Sequence, residues 1–460
     1  MTTKTKSHPL RIAVIGAGPA GFYVAEALLK QAEYVSVDLF DRCPTPYGLI
    51  RFGVAPDHLK IKSITLQYEK IANDPRVRFL GNVELGRDLH HSDLKKHYDA
   101  IFYTTGASQE RRMGIQGEQL QSSHSATEFV SWYNGHPDAA DAHFDLDVTH
   151  AAVIGAGNVA LDVARMLVKS PKDLESSDMA EHALSALRES KITDLYLIAR
   201  RGVVQAKFTT KELRELAELP DVDFLVDPSD MELDAASEHA LERSDNVIKK
   251  NVEFLTECSK RTPQGKPRRI HLKFLSSPKA ILGTDRVNAV RIERTTLDAE
   301  QRVVGTGHYE DLAVGLVLSS VGYKGAPLPG VPFDERLGIV PNQKGRIVTL
   351  EGHVVPGEYV AGWIKRGPSG VVGSNKICAR ESVERFLEDL PKLPRVSLAD
   401  AHPRTLTELL DSRNIFYVTF DQWLELDHLE KEAGQRCGRP RVKMVRVEEM
   451  LSHLRKPTDL

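Results

Sequence analysis

Residues 153–167 read VIGAGNVALDVARML: an apolar run, a glycine-rich turn and a helical stretch. The same succession stands earlier in the chain, as IAVIGAGPAGFYVAEALLK at 12–30. Each fits strand, G-x-G-x-x-G/A, helix. The first glycine permits a tight turn, the second lets backbone approach a pyrophosphate, and the third position allows close helix–strand packing. The helix N-terminus then faces the phosphates with its free N–H groups. One such unit makes a nucleotide-binding domain, and two in one chain decide the architecture. Apolar runs alternating with helical periodicity around them predict α/β layers on parallel sheet.

The chain of 460 residues is long enough for two or three domains with proper cores. Lys plus Arg number 61 against 64 acidic residues, so no global basicity points to nucleic acid. Cys43, Cys258, Cys378 and Cys437 are scattered and form no CxxC pair. That argues against a disulfide framework, a metal site, a resident iron–sulfur cluster and a redox-active dithiol. No apolar stretch approaches the roughly 18–20 residues of a membrane span, and the residues before the first strand carry no apolar run. Both features predict a cytoplasmic protein.

Strands are expected at 11–15, 35–40 and 100–103, with a helix at 19–31 and a glycine turn at Gly106. A second unit opens at 151 and reaches DLYLIAR, 194–200, after a polar insertion at about 170–191. Residues 220–310 read as mixed strands and loops, followed by LAVGLVLSSVGYKG at 312–325. Residues 358–387 read as strand, glycine-rich loop and long helix, and LPKLPR at 390–395 as a linker to a polar, mostly helical tail.

The residues after each fingerprint separate the two. Gly16, Gly18 and Gly21 precede a strand closing on Asp41. A carboxylate there accepts from ribose hydroxyls and repels a 2′-phosphate, which suits FAD or NAD. Gly155, Gly157 and Ala160 precede a strand running into Arg200-Arg201. Two guanidiniums there suit the 2′-phosphate of NADP through charge-assisted, forked hydrogen bonds. FAD and NADP(H) on one chain imply a flavin-dependent oxidoreductase, in which the cofactors carry the chemistry.

The stretches CPTPYGLIRFGVAPDHLKIKSI (43–64), GNVALDVARML (157–167), ARRGVVQAKFTTKELREL (199–216) and AGWIKRGPSGVVGSNK (361–376) resemble the adrenodoxin-reductase type of ferredoxin–NADP reductase. The tail segment GRPRVKMV (438–445) is similar to that of actinobacterial members. The resemblance implies two Rossmann-like dinucleotide-binding domains, the NADP domain inserted in the FAD domain, with a mostly helical C-terminal extension. The FAD domain would comprise 1–108 and 330–395, the NADP domain 109–329, and the extension 396–460 would pack on the FAD domain. It implies FAD contacts from Gly16, Gly18, Pro19, Ala20, Gly21, Asp41, Leu49, Val83, Trp363, Gly370, Val371 and Val372. For NADP it implies Arg111, Gly155, Ala156, Gly157, Asn158, Val159, Arg200, Arg201, Glu212 and Gly370.

Beside the nicotinamide, the resemblance implies His58 and Glu215 as the polar pair. Read from the residues alone, His58 caps a helix starting near 57 and Glu215 is a solvated helical carboxylate. The implied activity is hydride transfer from NADPH to FAD, then single-electron steps to a ferredoxin, an acidic iron–sulfur protein; the chain would act as a monomer. The alternatives are a diaphorase, quinone or disulfide-type reductase of the same superfamily, or a non-enzymatic nucleotide-binding redox sensor.

Overall fold

A computed structural model describes residues 9–370 and 372–455. Their backbone contacts divide them into two units. The first holds the described residues up to Val54, His58–Gln109 and those from Gly322 on; the second holds Ala55–Asp57 and Glu110–Val321. Residues 322–329, expected in the inserted domain, thus fall with the first unit.

In the first unit seven strands lie in the order Asn342–Gln343, Arg346–Val348, Val354–Val360, Ala100–Tyr103, Leu10–Ile15, Val35–Phe40 and Val77–Leu80. The last five are mutually parallel, and the first three pair antiparallel. Leu10–Ile15 is buried along its whole length, as a central parallel strand covered on both faces must be. The helices Pro19–Gln31 and Ser374–Asp389 pack against one another, and Phe22, Val24, Leu28, Val383 and Phe386 join the core beneath them.

One charged cluster lies inside this sheet. Asp38 is fully buried and accepts from Arg11, from Arg78 Nε at 2.7 Å and from the Tyr98 hydroxyl at 2.6 Å. Burial alone would raise the Asp38 carboxyl; the Arg78 hydrogen bond and the charges of Arg11 and Arg78 outweigh it and hold it below the ordinary range. Removing one member of a buried ionic cluster leaves the others uncompensated. Asp38→Ala is therefore expected to cost about 3–5 kcal/mol, measured as a fall in the urea midpoint with unchanged m-value.

The second unit carries a six-stranded parallel sheet. Its order is Ser123–Ser125, Leu316–Ser319, His150–Ile154, Asp194–Ile198, Arg268–Lys273 and Val222–Val226. A three-stranded antiparallel sheet of Ser276–Leu282, Ala289–Leu297 and Val303–Ala313 accompanies it. The polar insertion holds the helices Pro171–Glu175 and Glu181–Arg188. One sequence expectation needs correction: residues 220–310, read as strands and loops, also contain the helices Ala235–Arg243 and Asn246–Ser259.

The tail is helical at Pro403–Ser412, Phe420–Arg436 and Val447–Leu454. Thr419 and Gln422 form a capping box at the start of the longest of these, satisfying two of the helix's orphan N–H groups. Val418, Phe420, Trp423, Leu426, Met450 and Leu454 enter the core of the first unit.

Candidate nucleotide sites

The first glycine turn comes directly after Ile15. Gly16 has φ 109°, and a Cβ there would stand 2.7 Å from the Thr104 carbonyl oxygen. At Gly21 a Cβ would lie 2.1 Å from the Gly16 carbonyl oxygen, so the helix and the turn touch backbone to backbone. Gly18 differs, since its φ is ordinary and a Cβ would meet nothing nearer than the Gly48 Cα at 3.8 Å. Gly16 and Gly21 are thus required by the fold, whereas Gly18 leaves open space at the N-terminus of Pro19–Gln31. Pro19 opens that helix and the buried Ala20 comes next.

Asp41 stands just beyond Val35–Phe40, where the spacing places it. Its Oδ2 accepts from the Ala17 N–H at 2.9 Å and its Oδ1 from the Cys43 N–H at 2.9 Å. Burial raises its carboxyl above the ordinary value, and these two N–H groups only partly offset that. The carboxylate therefore braces the turn as well as presenting its remaining lone pairs. Its carbonyl accepts from the N–H of the buried Val83 at 2.9 Å. Leu49 opens the short helix Leu49–Phe52 and is partly exposed.

Trp363 begins the helix Trp363–Arg366, with Gly362 before it at φ 82°. The Trp363 Nε1–H is buried without a hydrogen-bond partner among the described residues. A donor in that position is costly unless a ligand acceptor meets it. Gly370, at φ 81°, and Val372 lie in the turn preceding Ser374–Asp389. Val371 lies outside the described residues.

The second turn repeats the division of labour. Gly155 has φ 150°, and its Cβ would stand 2.4 Å from the Ser320 carbonyl oxygen. Gly157, the N-cap of Asn158–Val168, has nothing within 4 Å of a built Cβ. Ala156 accepts from the Lys207 N–H at 2.8 Å and Asn158 Oδ1 from the Thr209 N–H at 2.8 Å. These bonds fix the turn, with Val159 behind it, to the start of the helix Thr210–Ala217. On that helix Glu212 carries a buried Oε2 with no partner among the described residues, an acceptor suited to a ligand hydroxyl or amide.

The strand Asp194–Ile198 stops two residues short of Arg200. Arg200 is exposed and Arg201 half-buried. Their backbone carbonyls accept from the Thr295 hydroxyl at 2.9 Å and the Leu275 N–H at 3.1 Å. The neighbouring sheet thus holds the main chain, and neither guanidinium has a carboxylate partner among the described residues. Arg111 is exposed, a few residues past Ala100–Tyr103 in the chain.

His58, in the first unit, occupies the N-cap position of Leu59–Lys62, but its side chain makes no capping bond. Glu215, in the second, faces Lys211 at 3.4 Å and Arg165 at 4.0 Å. Sequence reasoning missed the group around Arg165. This arginine is 2 % exposed and holds Asp57 at 2.9 Å and Asp162 at 2.8 Å, while Lys169 reaches Asp57 at 2.9 Å. Burial alone would raise the Asp57 carboxyl, but the Arg165 hydrogen bond and the charges of Arg165 and Lys169 drive it well below the ordinary range. Its stabilising contribution is therefore complete above about pH 4 and is lost only in strong acid.

Two glycine turns at helix N-termini, one backed by a carboxylate and the other leading to paired arginines, belong to an oxidoreductase fold built on two dinucleotide domains. The chain belongs to the pyridine nucleotide-disulphide oxidoreductase family, which it matches over residues 10–362. It is 42% identical over 457 residues to the NADPH-ferredoxin reductase FprA of Mycobacterium tuberculosis, covering 96% of this chain and 99% of that protein. With the mitochondrial NADPH:adrenodoxin oxidoreductase of Arabidopsis thaliana it shares 41% identity, covering 98% of this chain and 96% of that one. The solved structure of Mycobacterium tuberculosis FprA in complex with NADPH matches with a TM-score of 0.91, covering 97% of this chain and 99% of that chain. These relatives bear out the resemblance to ferredoxin and adrenodoxin reductases. The family name notwithstanding, all four cysteines are free thiols, three of them buried.

Proposed function

We infer that the protein is an FAD-dependent reductase that moves electrons from NADPH to a ferredoxin-type iron–sulfur protein. The observation that carries this reading is the charge contrast between the fingerprints: Asp41 behind one turn and Arg200-Arg201 after the other. FAD, when bound, accepts hydride as an electron pair and releases electrons singly. One NADPH thus reduces two one-electron iron–sulfur centres and leaves NADP+ and a proton.

The chain's own part is to bind and orient. The N–H groups at the start of Pro19–Gln31, with Gly18 open before them, suit the FAD pyrophosphate. Asp41 suits its ribose, and Leu49, Val83, the Trp363 N–H, Gly370 and Val372 suit the rest of the cofactor. Gly155–Val159 takes the NADP pyrophosphate, Arg200 and Arg201 the 2′-phosphate, and Glu212 and Arg111 further polar groups of the nucleotide. His58 and Glu215 orient the nicotinamide and tune its electrostatics, since hydride transfer needs no general acid or base. The partner is acidic, the enzyme acts as a monomer, and its compartment is the cytoplasm; no described helix is long and apolar enough to cross a membrane.

Anaerobic stopped-flow tests the reading. NADPH is expected to bleach the flavin absorbance, and oxidised 2Fe–2S ferredoxin to restore it in two one-electron equivalents. If a quinone restores the absorbance and ferredoxin does not, the ferredoxin assignment fails and the diaphorase alternative replaces it.

A further inference from the structure

The tail helix Phe420–Arg436 buries two carboxylates, which a solvated cover would not do. Glu430 is 1 % exposed and receives both terminal nitrogens of Arg51, one at 2.8 Å. It also accepts from Arg441 at 3.0 Å and from the Met444 N–H at 2.9 Å. Asp427, one turn earlier, accepts from Arg441 at 2.6 Å. Lys443, 4 % exposed, donates to the Arg51 carbonyl at 3.2 Å. All these groups belong to the first unit.

Arg51 sits at the far end of a segment that starts at the first glycine turn. Tyr47 donates its N–H to the Ala17 carbonyl at 2.8 Å, and a Cβ on Gly48 would stand 3.0 Å from the Gly18 Cα. Tyr47 holds φ 84° and Gly48 φ 47°. A bulky residue at positive φ is strained and persists only where its surroundings over-determine it. The Tyr47 ring is held among Phe22, Tyr68 and the tail's Trp423, with centroids at 5.6, 6.1 and 5.8 Å. The Arg51 guanidinium lies over the same Trp423 ring at 5.1 Å. The tail therefore clamps both ends of the strained segment 47–51, one through Trp423 and the other through Glu430 and Lys443.

We propose that Glu430, acting through Arg51, is a positioning residue of the flavin site, and that the tail exists to hold the Tyr47–Phe52 segment against the Gly16–Gly21 turn. The proposal rests on the reading of that turn as the FAD site. A buried bidentate pair supplies what a flexible loop lacks, a single orientation fixed before the ligand arrives. Without it the segment relaxes from positive φ and Gly48 leaves Gly18, loosening the wall of the phosphate cradle.

The test compares Glu430→Gln, which keeps the volume and removes the charge, with Leu426→Ala, a core truncation on the same helix. For each holoenzyme the thermal midpoint and the rate of FAD release, read as recovered flavin fluorescence, are measured. Glu430→Gln is expected to release FAD about tenfold faster, a change of about 1.4 kcal/mol. Leu426→Ala is expected to lower the midpoint without a comparable rise in release. If the two variants release FAD equally at equal loss of midpoint, or Glu430→Gln releases it as slowly as wild type, the positioning role is overturned. Should Glu430→Gln fail to fold, Lys443→Met, which removes the hold on the Arg51 carbonyl, is expected to speed release in the same direction; wild-type release from it overturns the proposal. A wild-type protein that binds no FAD refutes the underlying site reading instead, a result distinct from all of these.

Discussion

With Arg200 and Arg201 both changed to alanine, kcat/KM for NADPH falls by about 10²–10⁴-fold, while that for NADH stays within about twofold of wild type. Each guanidinium is assigned a charge-assisted hydrogen bond to the 2′-phosphate, worth about 1.5–3 kcal/mol, and NADH has no group to lose at that place. The variant folds because the neighbouring sheet holds the main chain here: Thr295 and Leu275 donate to the two carbonyls whatever the side chains are. The preference is also pH-dependent. A phosphate monoester takes up its second proton near pH 6, so the wild-type preference for NADPH narrows as pH falls through that value. In the double variant the ratio is flat. Steady-state kinetics with both nucleotides across pH 5–8 reads all of this, and equal losses for NADPH and NADH would remove the 2′-phosphate role.

These features were legible in the sequence because their constraints are local. A positive φ at Gly16 or Gly155 needs glycine whatever surrounds it, and the strand-to-helix context is contiguous in the chain. The charged residues after each strand are equally local. The features that escaped depend on distant partners. Arg51 and Glu430 are 379 residues apart, and nothing near either one announces the other. Spacing offered a hint, since Trp423, Leu426, Asp427 and Glu430 recur at helical intervals on one face. A stripe of that kind with carboxylates in it signals paired burial, although alternating charge suggests a solvated surface. Arg165 escaped for the same reason, as an arginine on the buried side of its helix whose partner Asp57 is distant in the chain.

The helices Ala235–Arg243 and Asn246–Ser259 were hidden differently. Each opens with an aspartate cap, Asp234 accepting from the Ser237 N–H and Asp245 from the Val247 and Ile248 N–H groups. The second also buries Asn251, Phe254, Leu255 and Cys258 at helical spacing. Polar Lys249, Lys250 and Asn251 dilute that apolar stripe, and the strands on either side drew the whole region toward a sheet reading. Capping residues are the better signal where apolar periodicity is weak.

The two glycines of the first turn allow ligand and fold to be separated by experiment. Gly18→Val is expected to leave the flavin-free protein within about 0.5 kcal/mol of wild type but to weaken FAD binding by at least about 10²-fold. The residue has φ −86° and ψ −172°, extended backbone that valine adopts freely and that the adjoining Pro19 favours. A Cβ added there has only the Gly48 Cα within 4 Å, so it opens toward the space assigned to the pyrophosphate. Gly16→Val behaves differently. There φ is 109° and the Cβ stands 2.7 Å from the Thr104 carbonyl, so the turn must break and the flavin-free protein itself loses about 2–4 kcal/mol. Denaturant titration of both apoproteins, alongside FAD titration monitored by fluorescence quenching, separates the two effects. Wild-type FAD affinity in Gly18→Val would mean that the open space before Pro19–Gln31 does not receive a phosphate, and the division between structural and ligand-facing glycines would fall with it.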